Sequence, residues 1–226
     1  LSSGGLVGNS NTSSSFTVEH ITDGDADLGA SVEAAFPAAG STGDAAVVSL
    51  TINVTDPDID GLRFSLVFGS DEYPEYSDSS FVDIAGVYVN GVNYALFNND
   101  PNYPLSVMQS NIDQGNFIDN TGSLYPVEWD GFSEPMSIRA PLVQGENTIK
   151  IAVADTGDNS YDSGLFAYGF SFLDGGAVVS GILDQVIQEV GQVDRALVAE
   201  VDVVAVLPHI AAQKCWLTEA KRGHAG

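Results

Sequence analysis

Residues 67–83 read VFGSDEYPEYSDSSFVD and place Asp71, Glu72, Glu75, Asp78 and Asp83 close together with no Lys or Arg among them. Two further acidic constellations occur: DGDADLG, with Asp23, Asp25 and Asp27, and ADTGDNSYDSG, with Asp155, Asp158 and Asp162. Unpaired carboxylates this dense repel one another, and the charge must be neutralised. A hard divalent cation does so by taking six to eight oxygens from carboxylates, amides and backbone carbonyls of flexible loops. Alternating Asp in a Gly-containing loop can turn several carboxylates toward one centre. The chemistry expected is therefore Ca²⁺ binding by Asp71, Glu72 and Asp83, by Asp155, Asp158 and Asp162, and by Asp23, Asp25 and Asp27. The pattern is not an EF-hand, because the Gly at the sixth loop position and the closing Glu are missing. The competing reading is that these are solvated turn aspartates making Asx turns.

Catalytic alternatives are weaker. Asp71 or Glu72 with Glu75 could form a glycosidase pair, but that needs two carboxylates placed across a cleft. The histidines are His20, His209 and His224, and no GxSxG nucleophile motif is present. Cys215 stands alone, so neither an intramolecular disulfide nor a Cys-based zinc site can form. A non-enzymatic role is expected.

The acidity is uneven. Of 31 acids, 25 lie before residue 175, opposed there only by Arg63, Arg139 and Lys150. Such a body excludes binding to nucleic-acid backbones, which requires clustered Lys and Arg, and it is repelled by anionic membranes. The apolar stretch 203–213 is too short to span a bilayer, so direct membrane insertion is not expected. Hydrophobic content of 44% argues against disorder.

The elements that must position the acids read as strands: 45–54, 61–68, 82–97, 136–142, 147–155 and 164–173. They are short apolar or alternating runs bounded by Gly, Pro, Asn and Asp. Asn90-Gly91 lies between two apolar arms, as a type I′ hairpin requires. No helical period is evident over 44–175. Many short strands without helices between them predict an all-β fold, an antiparallel β-sandwich of jelly-roll-like type, over residues 1–175. After Gly175-Gly176 the pattern changes. Leu183, Val186, Val190, Val193 and Leu197 form a helical stripe, EVDVVAVL at 200–207 could be a strand, and 176–226 reads as an extension of different kind, a C-terminal helix or tail.

DGDADL, LRFSLVFGSDEYPEYSDSSFVDIAGVYVNG, EWDGFSEPMSIRAPL and NTIKIAVADTGDNSYDSGLF occur in the order and spacing of the choice-of-anchor L domain, which this chain resembles over roughly residues 1–173. Phe68, Gly69, Ser70, Asp71, Glu72 and Tyr73 correspond to the family's strand-ending Phe-Ala-Ser-Glu-Glu-Tyr-like motif. Ala154, Asp155, Asp158, Asp162 and Ser163 correspond to its late Asp-rich segment. Where relatives often carry Phe-Asn-Asp, this chain has Phe81-Val82-Asp83. LSSGG resembles a stretch that normally follows further domain sequence, so a longer parent protein is expected. The resemblance implies a bacterial cell-surface or secreted module, similar to ligand-binding regions of calcium-dependent adhesins. A peptide or glycan ligand is expected near the acidic loops, on Tyr73, Tyr76, Trp129 and Tyr161, with Tyr125 and Phe132 close by. The alternative is a structural subunit of a surface layer or fibre, which would assemble with itself.

Overall fold

The computed structural model describes residues 1–5, 8–18, 22–175, 177–179 and 199–203. In chain order the elements are α1 (Ala26–Ala35), β1 (Thr42–Val54), β2 (Gly61–Ser70), β3 (Ile84–Val89), β4 (Val92–Asn93), a 3₁₀ turn (Phe97–Asn99), α2 (Gln109–Asp113), β5 (Phe117–Asp119), β6 (Gly131–Ser133), β7 (Met136–Pro141), β8 (Gly145–Thr156), β9 (Ser163–Asp174), β10 (Ala177–Val179) and β11 (Ala199–Val203). They build two sheets, one ordered β11-β1-β8-β3-β4 and the other β10-β9-β2-β6-β5, with β7 also paired to β2. Strands far apart in sequence lie side by side, as in β1-β8-β3 and β2-β7, which gives the expected antiparallel, jelly-roll-like sandwich. The β1–β11 pair alone among these is parallel.

Alternation dictates the core. Leu62, Phe64, Leu66 and Phe68 of β2 point inward, as do Ile149, Ile151 and Val153 of β8, and all are buried. Phe64 stacks on Phe170 of β9 with ring centroids 4.3 Å apart. The hairpin at Asn90-Gly91 has positive φ at both residues, 50° and 80°, as a type I′ turn demands.

The outer faces of the two sheets differ. α1 covers that of the β1-β8-β3 sheet, burying Leu28 and Val32 against Ile84, Tyr88, Ala152 and Ala154. Val82 is an apolar member of this cluster. The helix falls within the motif expected to bind metal. Asp25 is its N-cap, accepting the backbone N–H groups of Asp27 and Leu28 at 3.0 Å. Pro37 follows Phe36, disfavours further α geometry and ends it. Lys150 reaches across from β8, bonds both Asp25 oxygens at 2.8 Å, and also pairs with Asp27. It lies over the Tyr88 ring, 4.8 Å from its centre. Burial pulls the Lys150 pKa down, but the Asp25 and Asp27 carboxylates outweigh it and raise the pKa overall.

The expectation that Asp23, Asp25 and Asp27 converge on a metal is thereby corrected. A helix cap and one ammonium occupy Asp25 and Asp27, while exposed Asp23 bridges Gly43 through its backbone. In the extension, β10 pairs with β9 and β11 with β1, the latter overlapping the first half of the stretch read as a possible strand. The helical stripe 183–197, His20, His209, His224 and Cys215 lie outside the described residues.

Asp25→Ala removes both a cap and an ion pair, so it should destabilise the protein by about 1–2 kcal/mol. Asp23→Ala should stay within about 0.5 kcal/mol of the parent. Urea unfolding measures both, and equal effects would contradict the cap assignment.

Candidate functional site

At one end of the sandwich the loop between β2 and β3 meets the loop between β8 and β9. Asp83 joins them: its Oδ1 accepts the Thr156 N–H at 2.8 Å and its Oδ2 accepts the Ser163 hydroxyl at 2.7 Å. The two loops that sequence reading nominated are thus brought together. Asp71, Glu72, Asp83, Asp155 and Asp162 are each no more than 1% exposed, and Asp44, Glu128 and Asp130 are buried beside them. Among the described residues no Lys or Arg forms an ion pair with Asp71, Glu72, Asp83, Asp155, Glu128 or Asp130.

Half of these carboxylates are met by backbone amides of the N-terminal segment. Leu1 and Ser3 pair with the start of β9 through Leu165 N to Leu1 O (2.8 Å) and Ser3 N to Ser163 O (2.9 Å). Asp162 accepts the N–H groups of Gly5 (2.8 Å) and Val18 (2.9 Å). Asp71 accepts Phe16 N–H on one oxygen and Asp130 N–H on the other, both at 2.9 Å. Glu128 accepts the N–H groups of Thr12 (3.0 Å) and Ser13 (2.9 Å), and Asp44 accepts that of Thr22. The segment is a strap, and these carboxylates hold it down. Asp158 is exposed and closes an Asx turn onto Ser160 N–H.

Two acids remain without such partners. Glu72 Oε2 and both oxygens of Asp155 are buried and unbonded, as are Asp130 Oδ2 and Thr156 Oγ1. The Ser3 hydroxyl lies beside Asp155 but is bonded to the Ser163 carbonyl. Orphaned buried carboxylate oxygens are costly and rare. Burial, then the charges of Asp158, Asp155, Asp71 and Glu75, pushes Glu72 up to about 9. Burial also raises Asp155 to about 8, with the nearby Ser3 hydroxyl opposing and Asp162, Asp44 and Asp158 adding. Asp71 rises to about 8 by burial, against the pull of its two amide partners. Asp83 is driven well above the carboxylate range by burial and by the charges of Asp155 and Glu72.

Among the described residues no three His, Cys, Asp or Glu side chains stand together in a ready-made metal cage. The donor chemistry present is narrower: two orphaned carboxylates, Glu72 and Asp155, with neutral oxygens such as Thr156 Oγ1 nearby. Hard oxygens of net negative charge suit Ca²⁺, which takes hydroxyl, carbonyl and water oxygens to complete its shell.

The aromatic residues divide. Trp129 is 1% exposed and Tyr73 is 8% exposed, so neither can meet a ligand, which corrects that expectation. Trp129 lies on Gly69 and Gly164, where an added Cβ would come within 1.9 and 2.4 Å of its ring, and Tyr73 stacks on Phe117. Tyr76 and Tyr161 remain partly exposed at the junction of the loops, their ring centres 5.1 Å apart. Tyr161 holds a left-handed φ of 61°, with its N–H donating to Thr17 Oγ1 at 2.8 Å. Sequence reading did not nominate Asp44, Glu128 or Asp130. The only signal was EWD, two acids flanking a Trp that the fold buries.

Fold and site together define a β-sandwich module whose loop end is built on buried carboxylates. The chain belongs to the choice-of-anchor L domain family, which matches residues 1–173, and the family is one of bacterial surface modules. Among solved structures, a family 35 carbohydrate-binding module from an environmental isolate is similar at 17% identity, covering 76% of this chain and 88% of that one with a TM-score of 0.28. No curated protein matches. No helix among the described residues is long and apolar enough to cross a membrane.

Because the pKa values of Asp71, Glu72 and Asp155 lie above those of the unfolded chain, the folded protein retains protons that the unfolded one has lost from about pH 4 upward. In chelator, stability should be highest at low pH and fall as pH rises through about 8–9. Thermal melts between pH 5 and 9 test this, and a rising Tm would contradict it.

Proposed function

We propose that this chain is an extracellular, calcium-dependent adhesion or ligand-binding module of a bacterial surface protein, taking a peptide or glycan ligand. One observation carries the calcium reading. Glu72 and Asp155 leave three buried carboxylate oxygens without a donor, at the junction of two loops and with no Lys or Arg among the described residues paired there. Every other buried carboxylate of this end has at least one oxygen engaged, which leaves these two as the acids that an ion would complete. Once bound, Ca²⁺ supplies positive charge to the loops and makes their ionised state the stable one. Ser3, on the strap, lies beside Asp155, so an ion there would secure strap and loops together. The partly exposed Tyr76 and Tyr161 offer aromatic area next to that point, and such rings serve sugars and peptides at low entropic cost.

A binding role is favoured over glycoside hydrolysis. Both oxygens of Asp71 accept backbone amides inside the fold, so Asp71 is not free to act as an acid or nucleophile. Its supposed partner Glu75 lies exposed in the turn.

Ca²⁺ at a hundredfold excess over its Kd should stabilise the protein by about 2.7 kcal/mol, read as a higher Tm than in chelator. Glu72→Gln and Asp155→Asn should abolish that gain while raising the Tm in chelator, because each amide removes the cost of keeping a buried carboxyl group protonated. Coincident melts of the parent with and without Ca²⁺ would overturn the calcium reading. Calcium-driven assembly into polymers would favour the structural subunit.

A further inference from the structure

We infer that the open outer face of the β9-β2-β7 sheet binds an acidic glycan, a chain of carboxylate-bearing sugars. The inference rests on the surface-module half of the reading above and is independent of its calcium half.

Three bases serve the body of this protein, and Lys150 is committed to Asp25 and Asp27. The other two, Arg63 on β2 and Arg139 on β7, are direct cross-strand partners in the register of the sheet. Inward-pointing Leu62 and Phe64 flank Arg63, and Ile138 and Ala140 flank Arg139, so both arginines project from the outer face. Side chains directly opposite lie about 5 Å apart at Cβ, and like charges so placed are destabilising. Among the described residues neither arginine has an ion pair, although 25 acids were available within the body. A repulsive pair of guanidinium groups on an otherwise acidic protein is a site for an anion, and each can hold a carboxylate through two parallel hydrogen bonds.

The same face carries the means to hold a sugar. Ser65 lies two residues from Arg63 and pairs across the sheet with Tyr168, and Val67 pairs with Phe166. Successive outward rows along a strand are ~6.7 Å apart. The face therefore presents an arginine row, then a hydroxyl and Tyr168, then Phe166. Phe166 is 53% exposed and Tyr168 is 50% exposed, whereas the corresponding face of the other sheet is closed by α1. β2 is a central strand with its backbone bonded to β9 on one side and β7 on the other. Over β2 a ligand can reach side chains only, which suits sugar rings laid flat on aromatic faces. The net charge of -24 would repel a polyanion at long range. The Debye length of about 8 Å at physiological salt confines that repulsion, and the arginine row governs at contact.

The test is calorimetric titration of the whole chain with a galacturonic-acid tetrasaccharide. A neutral galactose tetrasaccharide and tetraglutamate serve as controls, each in Ca²⁺ and in chelator at a temperature where melts show the protein folded. The expected result is binding of the uronide alone, weakening with salt. Arg63→Gln, Arg139→Gln and Tyr168→Ala should each weaken it about tenfold or more, with the Tm unchanged or, for the arginine variants, slightly raised. No uronide binding by the folded protein, equal binding of the neutral sugar, preference for tetraglutamate, or arginine variants that bind like the parent would overturn the inference. Self-association abolished by Arg63→Gln would also overturn it, assigning the face to a second copy. Uronide binding without any calcium stabilisation would defeat only the calcium reading. Calcium stabilisation without uronide binding would defeat only this one.

Discussion

The structure turns on a cost it has to meet at one end: eight carboxylates are buried together. Removing an ionised carboxylate from water costs several kcal/mol unless it is paired or hydrogen-bonded. Here the compensation is mostly backbone N–H. Asp71, Asp162, Glu128 and Asp44 collect amides from Gly5, Thr12, Ser13, Phe16, Val18 and Thr22, all donors of a segment with little secondary structure of its own. Acids and strap depend on each other. Without the strap the carboxylates lose their donors, and without the carboxylates the strap has few partners beyond its short pairing with β9.

The acidity is handled in three ways. Under α1 one lysine serves two aspartates and an aromatic face. Beneath the strap, backbone amides serve four acids, Asp71, Asp162, Glu128 and Asp44, and the Asp130 N–H adds a second donor to Asp71. At the junction of the loops, Glu72 and Asp155 keep orphaned oxygens, and that is where an added cation has the most to offer. The sandwich makes these separate solutions possible. One sheet is shielded by a helix on its outside, and the other keeps its outer face open apart from Trp129 at the acidic end.

The strands were legible because alternation and turn residues agree: β1, β2, β3, β7, β8 and β9 all fall on apolar runs, and Asn90-Gly91 makes its hairpin. β5 and β6 were not, since three residues give no period. α1 escaped because its stripe is only Leu28 and Val32, interrupted by Gly29, in a segment whose aspartates suggested metal chemistry. Lys150 lies 125 residues from Asp25 in sequence, so its pairing there is visible only once β8 is seen beneath the helix. Meeting of the β2–β3 and β8–β9 loops could be foreseen from their motifs. Burial of Trp129 could not, because it rests on the space left by two glycines on different strands. The strap was illegible for a related reason: its donors are backbone groups, which leave no mark in residue identity.

A crystal structure of the protein grown with Ca²⁺, phased so that the ion's anomalous scattering locates it, tests the central claim most directly. The account predicts a peak at 2.3–2.6 Å from carboxylate oxygens of both Glu72 and Asp155. No ion at that junction, with these two side chains hydrogen-bonded to one another or to ordered water instead, would contradict it.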